Sequence, residues 1–305
     1  NKIAKFVFSI NSLFNFIFLS SEVIISKSSE LYLYSLFSIL NLQDEIEHEE
    51  GDIRDLGQLE ASMSNFQPDI VFHLAAQALV RSSYDDPINT YTTNAIGSLN
   101  LLTSVNSCES IKSLVYVTSD KCYENVEWLW GYRENDPLGG HDPYSSSKAC
   151  AELIYSSFVR SFWSQRENFS ASARAGNVIG GGDFSIDRII PDCVRASENN
   201  DKVLLRNPNS TRPWQHVLEP LSGYMKLAQS LYHKEIKEIP SNWNFGPSIH
   251  KEITTGELAR LVLDILGSGK VELDPLDHPH EAGLLQLNCD KANIQLDWHP
   301  KWNGM

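Results

Sequence analysis

The stretch SLVYVTSDK, residues 113–121, decides the fold, because an apolar run passes directly into three polar residues. Leu114 to Thr118 is rich in β-branched and aromatic residues, which is the composition of a buried strand. In open α/β sheets, ligands bind just beyond the carboxyl ends of the parallel strands. We therefore expect Ser119, Asp120 and Lys121 to lie at a sheet edge that presents functional groups.

The same pattern recurs along the chain, where short β-branched or aromatic runs alternate with longer segments of helical period. The predicted strands are Phe6–Phe8, Leu31–Leu36, Ile70–Leu74, Ser113–Thr118 and Ala171–Ala175. The predicted helices are Gln58–Phe66, Pro87–Val105 and Tyr144–Phe162. This alternation predicts an α/β fold in which helices flank a parallel sheet.

The chain changes character after Gly176, where a turn of three glycines at 180–182 leads into short mixed elements. We expect these elements to form a smaller mixed α/β lobe facing the carboxyl ends of the strands. No long linker separates the two parts, so the lobes should pack tightly. The chain does not begin with methionine and stops soon after Trp302, which suggests a fragment.

The composition excludes several classes of protein. A net charge of −14 opposes general nucleic-acid binding, which needs a basic surface. The five cysteines are scattered without a C-x-x-C pair, so we expect no disulfide framework and a reducing cytoplasm. The apolar segment Phe6–Leu19 is interrupted by polar residues and is shorter than the roughly 20 residues that span a membrane. His278 and His280 lack further ligands at suitable spacing, so no metal is expected.

Tyr144 and Lys148 are four residues apart, so both side chains share one face if Tyr144 opens a helix. A lysine cation, reinforced by a nicotinamide cation, would lower the pKa of the tyrosine towards neutrality. Tyr144 would then remove a hydroxyl proton as hydride leaves the same carbon. The alternative is a solvated helix face on which the lysine stem lies beside an aromatic ring.

Ser119, Asp120 and Lys121 also allow two interpretations. A hydroxyl, a carboxyl and an amine in succession can serve as orienting group, acid and base. Equally, Ser119 and Asp120 can cap an ordinary strand-to-loop turn by binding backbone amides.

Several further segments, in this order along the chain, resemble the CDP-glucose 4,6-dehydratases of the extended short-chain dehydrogenase/reductase family. They are GDIRD (51–55), FHLAAQ (72–77), SDKCY (119–123), WLWGYRE (128–134), DPYSSSK (142–148), RAGNVIGGGD (174–183) and RPWQH (212–216). The resemblance implies a Rossmann-type, doubly wound NAD-binding domain in residues 1–176. It implies a mainly substrate-binding lobe in residues 177–305, some of whose elements return to the first domain.

The resemblance also implies a reaction. Hydride leaves C4 of the sugar for NAD while Tyr144, supported by Lys148, takes the hydroxyl proton and Ser119 holds the C4 oxygen. Lys121 then removes the acidified C5 proton, Asp120 protonates the departing C6 hydroxyl, and the hydride returns to C6. Relatives that act on dTDP-glucose or GDP-mannose are expected to carry glutamate at the position of Lys121, so the amine favours the CDP-glucose type. The alternative is that Lys121 stays charged and binds phosphate.

The resemblance assigns binding roles to other residues. Asp52 and Ile53 would face the adenine, and Thr93 and Asn94 lie on a helix that flanks the site. Three small or apolar residues would line the cofactor, although plain strand packing would explain them equally well: Leu74, Ala75 and Ala76. The expected substrate contacts are Asn177, Arg188 and Arg212, because arginine suits bidentate recognition of phosphate.

One part of the family pattern is missing. The glycine-rich turn after the first strand lets backbone amides reach the pyrophosphate, yet Ile10, Leu13 and Phe16 stand at the three glycine positions and the first fifty residues contain no glycine. Side chains there would obstruct phosphate approach. Residues 1–50 therefore diverge from the family pattern. Three explanations are open: this stretch is a misjoined translation, the chain is a decayed paralogue that has lost activity, or NAD binds in an altered way.

Three functions remain open on these grounds. The first is an active dehydratase of deoxysugar biosynthesis, a lyase expected to be a cytoplasmic homodimer without membrane or nucleic-acid partners. The second is a catalytically inactive nucleotide-sugar binder that has lost its NAD site. The third is a nucleotide-sugar 4-epimerase, which leaves C6 untouched.

Overall fold

The computed structural model describes residues 40–42, 46–248, 253–279 and 281–302. The helices in these ranges are α1 (Leu56–Phe66), α2 (Val80–Asp85), α3 (Pro87–Tyr91), α4 (Ser98–Asn106), α5 (Pro143–Phe158), α6 (Ile189–Glu198), α7 (Leu218–Tyr232), α8 (Thr255–Leu266) and α9 (Asp290–Gln295). The strands are β1 (Ile70–His73), β2 (Ser113–Val117), β3 (Ser170–Ala175), β4 (Val178–Ile179), β5 (Lys202–Leu205), β6 (Gln215–His216), β7 (Asn242–Phe245) and β8 (Lys270–Leu273).

The described part of the main sheet has the order β1-β2-β3-β7, and every pair in it is parallel. The strands predicted at Ile70–Leu74, Ser113–Thr118 and Ala171–Ala175 are confirmed to within one residue at either end. The other two, Phe6–Phe8 and Leu31–Leu36, lie outside the described residues.

Helices cover both faces of this sheet, as a doubly wound fold requires. Strand β2 shows why, because its side chains alternate: Val115 packs in the core with α7, whereas Leu114 and Tyr116 pack in the core with α4 and α5. All three residues are fully buried. The fold class predicted from the alternating pattern is confirmed.

The helix predicted over Pro87–Val105 is present but is not uniform. Pro87 opens α3 after an N-cap at Asp86, whose side chain accepts from the Asn89 amide. Between α3 and α4 the backbone forms a π-helical segment at Thr92–Gly97, which turns Thr93 and Asn94 into the protein interior. π-Helical insertions of this kind are frequent at functional sites. The sequence pattern gave no indication of this one.

The second lobe is built on two small parallel pairs, β4 with β6 and β5 with β8. Two elements that lie between β6 and β8 in sequence return to the main sheet, since β7 pairs with β3 and α7 packs against β2 and β3. The division at residues 176 and 177 stays a prediction. Among the described residues no helix is long and apolar enough to cross a membrane, and no cluster of metal-ligating side chains occurs among them.

A fully buried ion pair joins α5 to β3. The Arg174 Nε donates to Glu152 Oε1 at 2.9 Å and its Nη2 donates to Oε2 at 2.8 Å, and both side chains are 1% exposed. Glu152 also accepts from the hydroxyls of Thr118, which directly follows β2, and of Ser172, which lies within β3. Burial alone would raise the pKa of Glu152, but Arg174 and these hydrogen bonds lower it overall.

We expect Glu152→Gln to lower the free energy of unfolding by about 3–5 kcal/mol, because it leaves the Arg174 cation buried without a counter-charge. Denaturant unfolding at neutral pH measures this. The control is Glu272→Gln, which breaks an exposed 2.8 Å pair with Lys202 and should cost under about 1 kcal/mol. Equal, small effects of the two substitutions would contradict the structural role of the buried pair.

Candidate active site

Strand β2 is followed by a short 3₁₀ helix at Asp120–Cys122. Ser119 is the N-cap of this helix, and its hydroxyl accepts from the Lys121 amide at 3.3 Å. The capping interpretation of Ser119 is therefore correct for its backbone contact. The same hydroxyl donates to Asp120 Oδ1 at 3.0 Å, so capping and orienting the acid are compatible.

Asp120 is completely buried, and its two oxygens differ. Oδ1 accepts from the Ser119 hydroxyl and from Lys121 Nζ at 3.3 Å. Oδ2 is buried without a hydrogen-bond partner. It lies beside Gly176, where a Cβ would approach to 3.2 Å. A buried carboxyl oxygen left unpaired is costly, and its place beside the cleft suggests a group that binds there.

Lys121 reaches into the cleft with 24% of its side chain exposed. Its Nζ lies 3.3 Å from Asp120 Oδ1 and 3.3 Å from Asn177 Oδ1. Two other predicted site residues therefore contact this amine: Asp120, which follows β2, and Asn177, at the start of the second lobe. The carboxylate of Asp120 forms an ion pair with this amine.

Tyr144 and Lys148 lie on the first two turns of α5, which Asp142 caps by accepting from the Ser145 amide at 2.9 Å. Pro143 occupies the first helical position, where its missing N–H costs nothing. Both catalytic candidates are more than nine-tenths buried, yet both line the cleft. The shared helix face predicted from their spacing is present.

The prediction that Lys148 and a nicotinamide cation together lower the pKa of Tyr144 stays a prediction. Burial raises the pKa of Tyr144 to about 12, against a lowering by the Ser119 hydroxyl. Burial likewise lowers the pKa of Lys148 to about 8. Both shifts have one cause, since removal from water disfavours the charged form of each group. A lysine alone does not bring the phenol to neutrality in this site.

A cleft of about 1340 Å³ opens between the two lobes. Most of the predicted site residues line it, namely Leu74, Ala76, Ser119, Lys121, Tyr144, Lys148, Asn177, Arg188 and Arg212. Asp120 lies directly behind this surface. The strand ends and the second lobe therefore meet in one site, as the sequence argument expected.

The two predicted arginines are held differently. Arg212 donates from Nη1 to the carbonyls of Thr211 at 2.8 Å and Gly283 at 3.2 Å, so backbone rather than carboxylate groups orient it. Arg188 has a loose contact of 3.6 Å between Nε and Asp183 Oδ2, and this buried Nε makes no hydrogen bond. Both guanidinium groups are thus suited to binding an anion in the cleft.

Five residues predicted to bind the cofactor do not line the cleft, and one of them, Ala75, packs against the core cluster that contains Ile53. Asp52 is paired with Arg54, and Ile53 is buried in the core against Gly97. Thr93 and Asn94 are also buried. The Asn94 amide donates to Gln77 O at 2.9 Å and to Ser147 Oγ at 2.8 Å, so it braces the segment after β1 against α5.

The sequence argument missed Glu152 and Arg174 as part of the site. Glu152 is four residues beyond Lys148 on α5, the same spacing that relates Lys148 to Tyr144. Arg174 opens the RAGNVIGGGD segment and was quoted only as part of a motif. The helical spacing would have found Glu152, whereas nothing local in the sequence identifies its partner.

Comparison with known proteins agrees with this architecture. A family model described as GDP-mannose 4,6 dehydratase matches residues 19–304. The chain belongs to that family. It is 53% identical over 274 residues to CDP-glucose 4,6-dehydratase of Salmonella typhimurium, covering 88% of this chain and 76% of that protein. It is 27% identical over 253 residues to dTDP-glucose 4,6-dehydratase of Streptomyces antibioticus, covering 82% of this chain and 70% of that protein.

Solved structures share the fold at lower sequence identity. A double mutant of dTDP-glucose 4,6-dehydratase from Streptomyces venezuelae, determined with NAD bound, has a TM-score of 0.74 at 22% identity, covering 87% of this chain and 79% of that one. The family resemblance carried by the motifs is confirmed. Ile10, Leu13 and Phe16, which stand at the expected glycine positions, lie outside the described residues.

We expect Lys148→Met to stabilise the protein without cofactor at pH 7 by on the order of 3 kcal/mol, because it removes a buried cation. In the wild type, the unfavourable contribution of Lys148 is complete below its folded pKa of about 8 and fades as the pH rises to its ordinary value of 10.5. The gain should shrink over that interval. Denaturant unfolding from pH 7 to 10.5 measures it.

The matched control is Lys301→Met at an exposed position, which should change stability by less than about 0.5 kcal/mol at each pH. A stabilisation by Lys148→Met that stays constant across this pH range would contradict the role of the buried charge.

Proposed function

We propose that the protein converts CDP-glucose to CDP-4-keto-6-deoxyglucose, with NAD as a tightly held cofactor. The observation that carries the proposal is the grouping of Asp120, Lys121 and Tyr144 around one cleft, because an acid, an amine and a phenol are the three groups that oxidation and elimination need. The identity of 53% to an enzyme named CDP-glucose 4,6-dehydratase supports the choice of substrate.

The described residues fit a nicotinamide cofactor. Leu74 and Ala76 line the cleft just beyond the end of β1, and small residues there let a flat ligand approach the backbone. The raised pKa of Tyr144 fits as well, since a cationic ring beside it would stabilise the phenolate that burial disfavours. When bound, NAD supplies a hydride acceptor that later returns the hydride to the substrate.

Tyr144 and Ser119 act first in the proposed reaction. The phenolate accepts the proton of the C4 hydroxyl as the sugar is oxidised, and the Ser119 hydroxyl holds the C4 oxygen towards it. Lys148 is buried one turn further along α5, where its ammonium form favours the phenolate. Oxidation at C4 makes the adjacent C5 proton acidic.

Lys121 and Asp120 carry out the elimination in this proposal. Their 3.3 Å contact lets one proton move from the ammonium to the carboxylate, which produces a neutral amine and a carboxylic acid together. Substrate that closes the cleft excludes water, and burial favours such a neutral pair over an ion pair. The amine takes the C5 proton while the carboxylic acid of Asp120 gives its proton to the departing C6 hydroxyl, so the ion pair is restored as water leaves.

The diphosphate of the substrate is assigned to Arg188 and Arg212, whose guanidinium groups line the cleft. Asn177 is assigned to the sugar, because its amide oxygen already lies 3.3 Å from the amine of Lys121. We also propose that five further residues contact the cofactor through backbone atoms or support it by packing: Asp52, Ile53, Ala75, Thr93 and Asn94.

We propose further that the protein is a cytoplasmic homodimer that pairs through α5. On this helix and the turn after it, Leu153 and Phe162 are 57% and 62% exposed, which is unusual for large apolar side chains unless a partner covers them.

The activity test is incubation of the purified protein and NAD with CDP-glucose, followed by NMR of the product. We expect a 4-keto-6-deoxy sugar, and we expect Tyr144→Phe to lower kcat by at least about 100-fold because the phenolate is lost. A 4-epimer with intact C6 would identify an epimerase. Nucleotide-sugar binding without turnover at saturating NAD would identify an inactive binder, and either outcome overturns the proposal.

Lys121→Ala separates the two halves of the reaction. Oxidation at C4 does not need the amine, so we expect reduced cofactor to accumulate in a single turnover while formation of the 6-deoxy product falls by at least about 100-fold. The near-ultraviolet absorbance of the reduced cofactor and the uptake of solvent deuterium at C5 measure these two steps.

The matched control is Lys237→Ala, an exposed lysine that does not line the cleft, which should behave as the wild type. If Lys121→Ala bound substrate weakly but eliminated at the normal rate when saturated, Lys121 would be a phosphate ligand instead of the base.

A further inference from the structure

The backbone of Tyr144 is held by hydroxyl groups on both sides. Its carbonyl accepts from the Ser147 hydroxyl at 2.7 Å, within the same helix. Ser147 in turn accepts from the Asn94 amide at 2.8 Å. The Tyr144 N–H belongs to the first turn of α5, where no helical carbonyl is available to it.

Ser83 supplies the missing acceptor from another element. The Tyr144 N–H donates to Ser83 Oγ at 3.1 Å, and the Ser83 hydroxyl itself donates to Val80 O at 2.6 Å. Ser83 is fully buried on α2. Because the Ser83 hydroxyl gives its only proton to Val80 O, its oxygen acts as the acceptor for the Tyr144 N–H.

Helix α2 follows directly after the segment that lines the cleft beyond β1. The start of α2 is tied to this segment, because the Leu79 amide donates to the Gln77 side chain at 2.5 Å. The Gln77 amide donates to Asn94 Oδ1 at 2.8 Å. Ser83 therefore connects the wall of the predicted cofactor site to the residue that carries the reactive phenol.

We propose that Ser83 is a positioning residue that fixes Tyr144 in the dehydratase reaction, and this inference rests on the proposed function. Removing its hydroxyl leaves the Tyr144 N–H buried without an acceptor. The first turn of α5 then shifts to find one, and the phenol moves with it. A displacement of this kind slows the chemical step more than it weakens binding, because proton removal and hydride departure must be aligned.

Four proteins test the proposal: wild type, Ser83→Ala, Ser83→Thr and Ser82→Ala. Threonine keeps the acceptor, and Ser82→Ala makes the same chemical change one residue away on α2, at a side chain that does not line the cleft. If Ser83→Ala does not fold, Ser83→Cys replaces it, because a thiol is only a weak acceptor.

The first measurement does not depend on activity. Tyrosine is labelled with ¹⁵N, and the Tyr144 amide is identified among the signals of 11 tyrosines by its loss in Tyr144→Phe. We expect its hydrogen exchange to quicken at least about fivefold in Ser83→Ala and to stay unchanged in Ser82→Ala. An unchanged rate in Ser83→Ala overturns the inference, even if the wild type proves inactive and the proposed function fails.

The second measurement separates positioning from general destabilisation. For Ser83→Ala we expect kcat to fall about 10- to 100-fold with KM changed less than about threefold, and the isotope effect of substrate deuterated at C4 to rise. Ser83→Thr should restore both values towards the wild type. Equal losses in Ser83→Ala and Ser83→Thr, or a loss without a change in isotope effect, would show that only packing matters and overturn the inference.

Discussion

The buried pair of Glu152 and Arg174 is the constraint on which the site depends. Glu152 belongs to α5, the helix of Tyr144 and Lys148, and accepts from Thr118, the residue directly before Ser119. Arg174 reaches from β3 to the Tyr123 hydroxyl at 2.8 Å, just beyond the 3₁₀ helix that carries Asp120 and Lys121. One ion pair therefore sets the distance between the two segments that hold the catalytic candidates. Its strength comes from burial, which makes any movement that breaks it costly.

The same burial makes the site unfavourable for the groups that it holds. Water is excluded from Tyr144 and Lys148, so the phenol resists ionisation and the lysine resists protonation. At neutral pH the buried Lys148 cation opposes folding and the surrounding core has to offset it, whereas the neutral phenol of Tyr144 adds no such cost. The same burial also prepares the site for a cationic ligand beside the phenol, because an ionic interaction is strongest where water is absent. The cost of charging Tyr144 and Lys148 and the fitness of the cleft for a nicotinamide ring have a single physical origin, the exclusion of water.

Local pattern predicted the parts of the fold that local chemistry determines. The end of β2 and the start of α5 each lie within one residue of their predicted positions, Thr118 and Tyr144, and the shared face of Tyr144 and Lys148 follows from their spacing. The π-helical turn at Thr92–Gly97 does not, because long-range packing determines it: there Asn94 turns inward to hydrogen-bond with Gln77 and Ser147. Asn94 was assigned to the cofactor through the family resemblance. Its observed hydrogen bonds join the segment after β1 to α5.

The lysine at position 121 is best understood through its neighbour. A glutamate there would place two carboxyl groups beside each other, and the first proton would have to come from solvent or substrate. An amine beside Asp120 instead brings the needed proton with it, since the ion pair and the neutral acid and base differ only in where one proton lies. In the proposed elimination, the ion pair becomes the neutral pair because water is excluded. Closure of the cleft over the sugar would then produce the acid and the base at the same moment, only when a substrate is present to use both.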